Sequence, residues 1–140
     1  MRTAVYENLP DCAMEIRRAV FVEEQGFQDE FDETDKEAVH FVVFDEDETP
    51  AATCRVFRNE ERDGYILGRF AVMKKYRGKN VGSALVEEAE RYVRLQGGKD
   101  IVLHAQCQAA GFYKKSGFTE FGDIEEEQGC PHVWMRKSVK

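Results

Sequence analysis

The segment Tyr76-Arg77-Gly78-Lys79-Asn80-Val81-Gly82-Ser83 carries the densest candidate chemistry in the chain. Two glycines and an asparagine suit a tight turn that needs positive φ. Ahead of a helix, successive N–H groups of such a turn point outward, unpaired, at the positive end of the dipole. That is an anion site by geometry, and Arg77 and Lys79 add formal charge. The spacing fits neither a P-loop nor a dinucleotide fingerprint. Phosphate binding therefore competes with an ordinary glycine-rich connection.

Charge placement sharpens this reading. The chain has 140 residues and a net charge of −7, from 20 Lys+Arg against 27 Asp+Glu. Twelve carboxylates fall between Glu23 and Glu48, and five between Glu120 and Glu127. None falls between Gly64 and Val86, where Arg69, Lys74, Lys75, Arg77 and Lys79 cluster. The balance excludes general nucleic-acid binding and leaves one basic island for an anion. His40, His104 and His132 form no i,i+4 pair, and Cys12, Cys54, Cys107 and Cys130 show no zinc or redox spacing, so no metal is expected. The opening MRTAVYENLPD has no apolar run of signal-peptide length, and no run approaches the roughly 20 residues of a membrane span. The expectation is a cytoplasmic protein without membrane contact. At this length the chain reads as a single domain over residues 1–140.

The elements that must hold these residues follow from periodicity. Thr3–Glu7 alternates as a strand, and Asn8 is the expected N-cap of a helix running to about Glu24, on which Ala13, Ile16 and Val20 recur. Gly26–Val39 reads as an acidic irregular stretch anchored by Phe27 and Phe31. His40–Asp45, Ala51–Arg58 and Ile66–Met73 read as a strand meander, with charged turns at Asp45–Pro50 and Asn59–Gly64. Val81–Gln96 is the clearest helix. Val81, Leu85, Ala89 and Val93 form its apolar stripe, and Glu87–Arg91 and Glu90–Arg94 pair on its outer face. Ile101–Ala105 is a buried strand and Gln108–Ser116 a short helix. Phe118–Asp123 and Pro131–Ser138 form a last hairpin. The order β α β β β α β α β β defines an α/β (α+β) domain with a mostly antiparallel mixed sheet of about six to seven strands.

The stretch Leu67–Gly82, LGRFAVMKKYRGKNVG, resembles motif A of the GNAT superfamily of acetyl-CoA-dependent N-acetyltransferases. Arg77, Asn80 and Gly82 occupy the defined positions of [QR]-x-x-G-x-[GA], with Asn80 in place of the usual glycine. Ala105–Phe118, with its FYKKSGF ending, is similar to motif B of the same superfamily. The early FVEEQGF, the acidic EFDETD and the late CPHVWM resemble the small bacterial ElaA/YjcF-like subgroup.

The resemblance implies a GNAT fold with helices on both sheet faces, and transfer of acetyl from acetyl-CoA directly to an amine in a ternary complex. It implies pyrophosphate held by the backbone of Arg77, Gly78, Lys79, Asn80, Val81, Gly82 and Ser83. Pantetheine would lie along Phe70, Ala71 and Val72, with a Val72 amide stabilising the oxyanion. Gln106, Ala110, Phe112 and Lys115 complete the implied cofactor contacts. Tyr113 is the implied acid: a phenol titrates near about 10, above a thiol near about 8.5, and can give its proton to the departing thiolate. The strand before motif A lacks the Glu base of many relatives. His104, His132 (oriented by Glu125, Glu126 or Glu127) and a water chain are the alternatives for that role. Cys54 and Cys107 are disfavoured as nucleophiles. Asp32, Asp35 and Arg69 are the expected acceptor-site residues, the carboxylates attracting a small-molecule or peptide amine within an acidic loop, Asp29–Glu37. Related enzymes are often dimers, so a homodimer is compatible. Two other readings compete: a non-catalytic acyl-CoA-binding module, and a phosphate-binding enzyme such as a nucleotide kinase.

Overall fold

A computed structural model describes residues 1–28, 31–62 and 64–140. Asp29 and Glu30 of the expected acidic segment, and Asp63 of the expected turn, lie outside the described residues. The chain runs β1 (Arg2–Tyr6), α1 (Asp11–Arg17), a π-helical continuation (Arg18–Glu24), α2 (Glu33–Glu37), β2 (Val39–Phe44), β3 (Pro50–Asn59) and β4 (Gly64–Val72). It continues with α3 (Val81–Leu95), β5 (Asp100–Gln106), α4 (Ala110–Lys115), β6 (Thr119–Glu127) and β7 (Cys130–Ser138). One seven-stranded sheet forms in the order β1-β2-β3-β4-β5-β7-β6.

Side-chain alternation explains why both faces of this sheet are covered. On β2, Phe41 and Val43 pack toward α3, while Val42 and Phe44 pack toward Ala13, Ile16 and Val20 of the first helical segment. The α3 stripe is buried as the periodicity predicts, with Leu85, Ala89 and Val93 fully inaccessible. Glu90 departs from expectation. It is buried and pairs with Lys137 on β7 at 2.5 Å, rather than standing on the outer face of α3.

Three local differences matter for the site. Pro10, not Asn8, precedes the first helix, supplying an extended residue with no side-chain cap. The helix reaches Glu24 as its periodicity predicts, but its last seven residues wind as a π-helix. The expected irregular acidic stretch contains α2, begun by a reciprocal capping box in which Asp32 and Asp35 each accept the other's backbone N–H.

The sheet is antiparallel except between β4 and β5. Those two pair over Tyr65–Leu67 and Ile101–Leu103, and beyond Leu67 they part. A bulge on β4 accompanies the parting. Thr53 pairs with Ala71 and Arg55 with Gly68, so Cys54 opposes both Arg69 and Phe70. Arg69 absorbs the extra residue at φ 48°.

Candidate active site

The wedge between β4 and β5 opens into a cleft of about 1040 Å³. Its backbone wall follows from ladder geometry. Met73 N–H donates to Ala51 O at 2.8 Å, so the neighbouring Ala52–Val72 pair is the non-hydrogen-bonded kind. The Val72 N–H and C=O therefore face away from β3, toward the wedge. The Val72 carbonyl already accepts a bond there, from Arg77 Nε at 3.0 Å. An extended ligand can bond this strand edge as an added strand would.

The loop into α3 forms one end of the cleft. Asn80 takes the left-handed conformation, φ 63°, that a glycine would adopt, so the motif survives the exchange. Asn80 makes no side-chain cap, and the first helical bond runs from Ala84 N–H to Asn80 O. The amides of Val81, Gly82 and Ser83 are thus left open at the positive end of a fifteen-residue helix. Gly82 permits close packing: a methyl there would stand 3.1 Å from Phe112 Cζ. Arg77 lines the cleft but is engaged by protein partners. Its amide donates to Lys74 O, and its guanidinium is held by Glu24 at 2.6 Å on each Nη.

Tyr113 stands where β4 and α4 meet the cleft. Its ring packs edge-on against Phe70, Phe112 and Phe118 at centroid distances of 5.8, 5.0 and 5.9 Å. Burial, with the Cys54 thiol beside it, pushes the phenol well above its ordinary value. The phenol keeps its proton at neutral pH. Burial also pushes the Cys54 thiol well up, which removes it as a thiolate nucleophile.

The far end of the cleft is built by β5, β6 and β7. His104 stacks on Trp134 at 4.4 Å and lies 5.0 Å from the His132 ring. His104 Nδ1 stands 3.3 Å from Glu127 Oε2, and its Nε2 stands 3.4 Å from Glu125 Oε1. Burial pulls the His104 pKa below its ordinary value, against the opposing pull of Glu127. His132 donates Nδ1–H to Cys130 O at 2.8 Å, which fixes its tautomer and turns Nε2 toward Glu127 at 3.6 Å. Trp134 donates to Glu125 Oε1 at 3.0 Å and carries Arg62 on its ring at 3.6 Å.

The acidic segment does different work from that expected. Asp35 is fully buried, and its carboxylate is held by Arg17 at 3.0 Å and Arg55 at 2.8 Å. Burial alone would favour its protonated form, but these two guanidinium groups hold its pKa well below the usual carboxylate range. Asp32 is bonded by Arg55 at 2.8 Å and Arg69 at 3.3 Å. The expectation that Asp32 and Asp35 meet a cationic acceptor is therefore corrected: Asp35 is paired in the interior, the partly exposed Asp32 is paired with Arg55 and Arg69, and neither lines the cleft. Phe31 is half exposed rather than an anchor, whereas Phe27 lines the cleft.

Most expected cofactor residues line this one cleft, Phe70, Val72, Gly82, Gln106, Phe112 and Lys115 among them. Three differ. The Ala71 and Ala110 side chains are packed in the core, and Lys79 is an exposed residue outside the cleft wall. Sequence reasoning missed Trp134. The alternation of His132, Val133 and Trp134 on a strand carried that signal, since it puts the histidine and the indole on one face.

A sheet split between two strands, an amide-lined helix start and a buried phenol define an acyltransferase of the acyl-CoA-dependent class. The chain belongs to the GNAT acetyltransferase family, whose domain model matches residues 8–139. A Bacillus subtilis protein bearing a provisional acetyltransferase name is 42% identical over 130 residues, covering 89% of this chain and 86% of its own length. The uncharacterized N-acetyltransferase YjcF of Bacillus subtilis is 36% identical over 135 residues, covering 94% and 93% of the two chains. The crystal structure of Escherichia coli ElaA superposes with a TM-score of 0.85 at 25% identity, covering 97% of this chain and 98% of that one. The acetyl donor of the family is acetyl-CoA. The open amides of Val81–Ser83 and the Val72 edge fit its pyrophosphate and its amide-bearing arm. Among the described residues no helix is long and apolar enough to cross a membrane.

Proposed function

We propose that the protein transfers an acetyl group to a primary amine by direct attack, with Tyr113 as acid and His104 as base. When bound, acetyl-CoA supplies an activated thioester carbonyl, whose C–S bond breaks as the C–N bond to the amine forms. The Val72 N–H faces the wedge where the carbonyl oxygen gains charge. His104 accepts the proton that the bound ammonium must lose before its nitrogen attacks as a free amine, and burial favours the neutral imidazole that this requires. Tyr113 gives its proton to the departing sulfur, which is thereby released as a thiol. His132 lines the cleft beside His104, its ring 5.0 Å away. Glu125 and Glu127, rather than Asp32 and Asp35, draw the cationic amine to this end.

The observation that carries the reading is that Tyr113 and His104 line one cleft around an unpaired strand edge. A screen of primary amines with acetyl-CoA, read by thiol release, tests it. Amine-dependent release is expected. Failure of every amine, while acetyl-CoA still raises the melting temperature, would sink the catalytic assignment.

A further inference from the structure

Two buried side-chain polar atoms lack a hydrogen-bond partner among the described residues: Arg55 Nε and His104 Nε2. Both side chains line the same cleft, and that of Arg55 is only 7% exposed. The sheet register sets them in one row. Arg55 lies opposite Gly68, Leu67 opposite Leu103, and His104 opposite Trp134. Gly68 therefore falls between Arg55, one strand spacing of roughly 4.8 Å away on β3, and His104, which lies across the mouth of the wedge where β4 and β5 have begun to part. A methyl at Gly68 would stand 3.7 Å from Arg55 Nε. Glycine here leaves a notch between the two unpartnered atoms.

The two ends of the notch ask for opposite chemistry. Arg55 Nη1 is taken by Asp32 and Asp35, each at 2.8 Å, and Nη2 by Asp32. Its Nε–H is a permanent donor on a permanent cation and requires an acceptor, best an anionic oxygen. At the other end, His104 Nε2 and the Glu125 carboxylate stand 3.4 Å apart without a hydrogen bond between them. An N–H donor placed there satisfies both.

We infer that the acceptor is a small amine that also bears a carboxylate, of the amino-acid type. Its nitrogen sits at His104 and Glu125, and its carboxylate lies over Gly68 against Arg55 Nε. This rests on the acetyl-transfer reading above and narrows it to a substrate class.

Matched pairs test the inference: L-phenylalanine and phenethylamine, L-lysine and cadaverine, γ-aminobutyrate and butylamine, each with acetyl-CoA and thiol release as readout. In at least one pair the carboxylate-bearing member is expected to lead in kcat/KM by about tenfold or more, because the plain amine leaves a buried charged donor unmet. In Gly68→Ala that preference is expected to collapse to about parity. The added methyl makes only ordinary contact in the free protein, so the melting temperature and its rise with acetyl-CoA stay as in the wild type. The inference is overturned if the plain amine matches or beats its partner in every pair, if no carboxylate-bearing amine reacts, or if the preference survives Gly68→Ala. Failure of the acetyl-transfer reading itself shows separately, as activity toward no amine in the wider screen.

Discussion

Arg77 and Glu24 clasp each other through two 2.6 Å bonds, joining the loop before α3 to the end of the π-helical stretch. The neighbouring residues make further ties. Gln25 accepts from Gln106 at 3.0 Å, and Gln28 N–H donates to Gln128 at 3.0 Å. The segment Glu24–Gln28 thereby straps across the cleft. Glu24 competes with a bound pyrophosphate for the same guanidinium. Glu24→Gln is expected to tighten coenzyme A binding about two- to fivefold, the equivalent of the ~0.5–1 kcal/mol of an exposed ion pair. Calorimetry at low and high salt checks this, and the gain should shrink as salt rises.

Tyr113→Phe removes one hydroxyl from a ring whose packing stays intact. The expected result is a loss of about a hundredfold in kcat, the usual scale of general-acid catalysis. The acetyl-CoA-induced rise in melting temperature should not change. An unchanged kcat under conditions where chemistry limits turnover would remove Tyr113 from the mechanism.

The burial of His104 has a signature in pH. A base works only when deprotonated, and this imidazole is pulled below the ordinary value of 6.5. At saturating amine, kcat should stay level as pH falls through 6.5 and decline only at lower pH. His104→Gln should lower kcat and erase that acid limb. A limb that persists unchanged in His104→Gln would assign it to another group.

Asp35 and His40 make a prediction about stability. Burial depresses the His40 pKa, and its Nε2–H donates to Asp35 O at 2.9 Å. Both groups hold protons less readily in the folded state than in the unfolded chain. Their contributions are full above the unfolded values and fade as pH falls, from about 6.5 for His40 and about 4 for Asp35. Asp35→Asn takes away the buried carboxylate that Arg17 and Arg55 share, while Arg55 keeps its bond to Asp32, and should cost about 3–5 kcal/mol. Urea unfolding at pH 7.5 measures that loss, and repeating it at lower pH reads the two slopes.

What could be read before the fold was known divides along chain distance. Asn80 and the α3 stripe are local features: a left-handed residue before a helix and a repeat of four show themselves within a few positions. The loop into α3 is legible for the same reason, whereas Tyr113 is singled out by the resemblance of FYKKSGF to motif B. Asp35 is not legible. Its partners Arg17 and Arg55 lie 18 and 20 residues away, and nothing in an acidic run tells a solvated carboxylate from a buried one. The stacking of His104 on Trp134 likewise depends on the register of β5 against β7, set by the whole sheet. The pairing of Arg77 with Glu24 spans 53 positions, so it too is invisible from the loop's own sequence.

The wedge between β4 and β5 reaches beyond catalysis. The sheet is two blades held together over Tyr65–Leu67 and Ile101–Leu103, with a strand's worth of backbone missing past that seam. A donor bound along the Val72 edge would bridge the two blades, so the melting temperature should rise with acetyl-CoA concentration. Cleavage of the native chain by an added protease should then slow as acetyl-CoA is titrated in, the mark of a seam that its own donor closes.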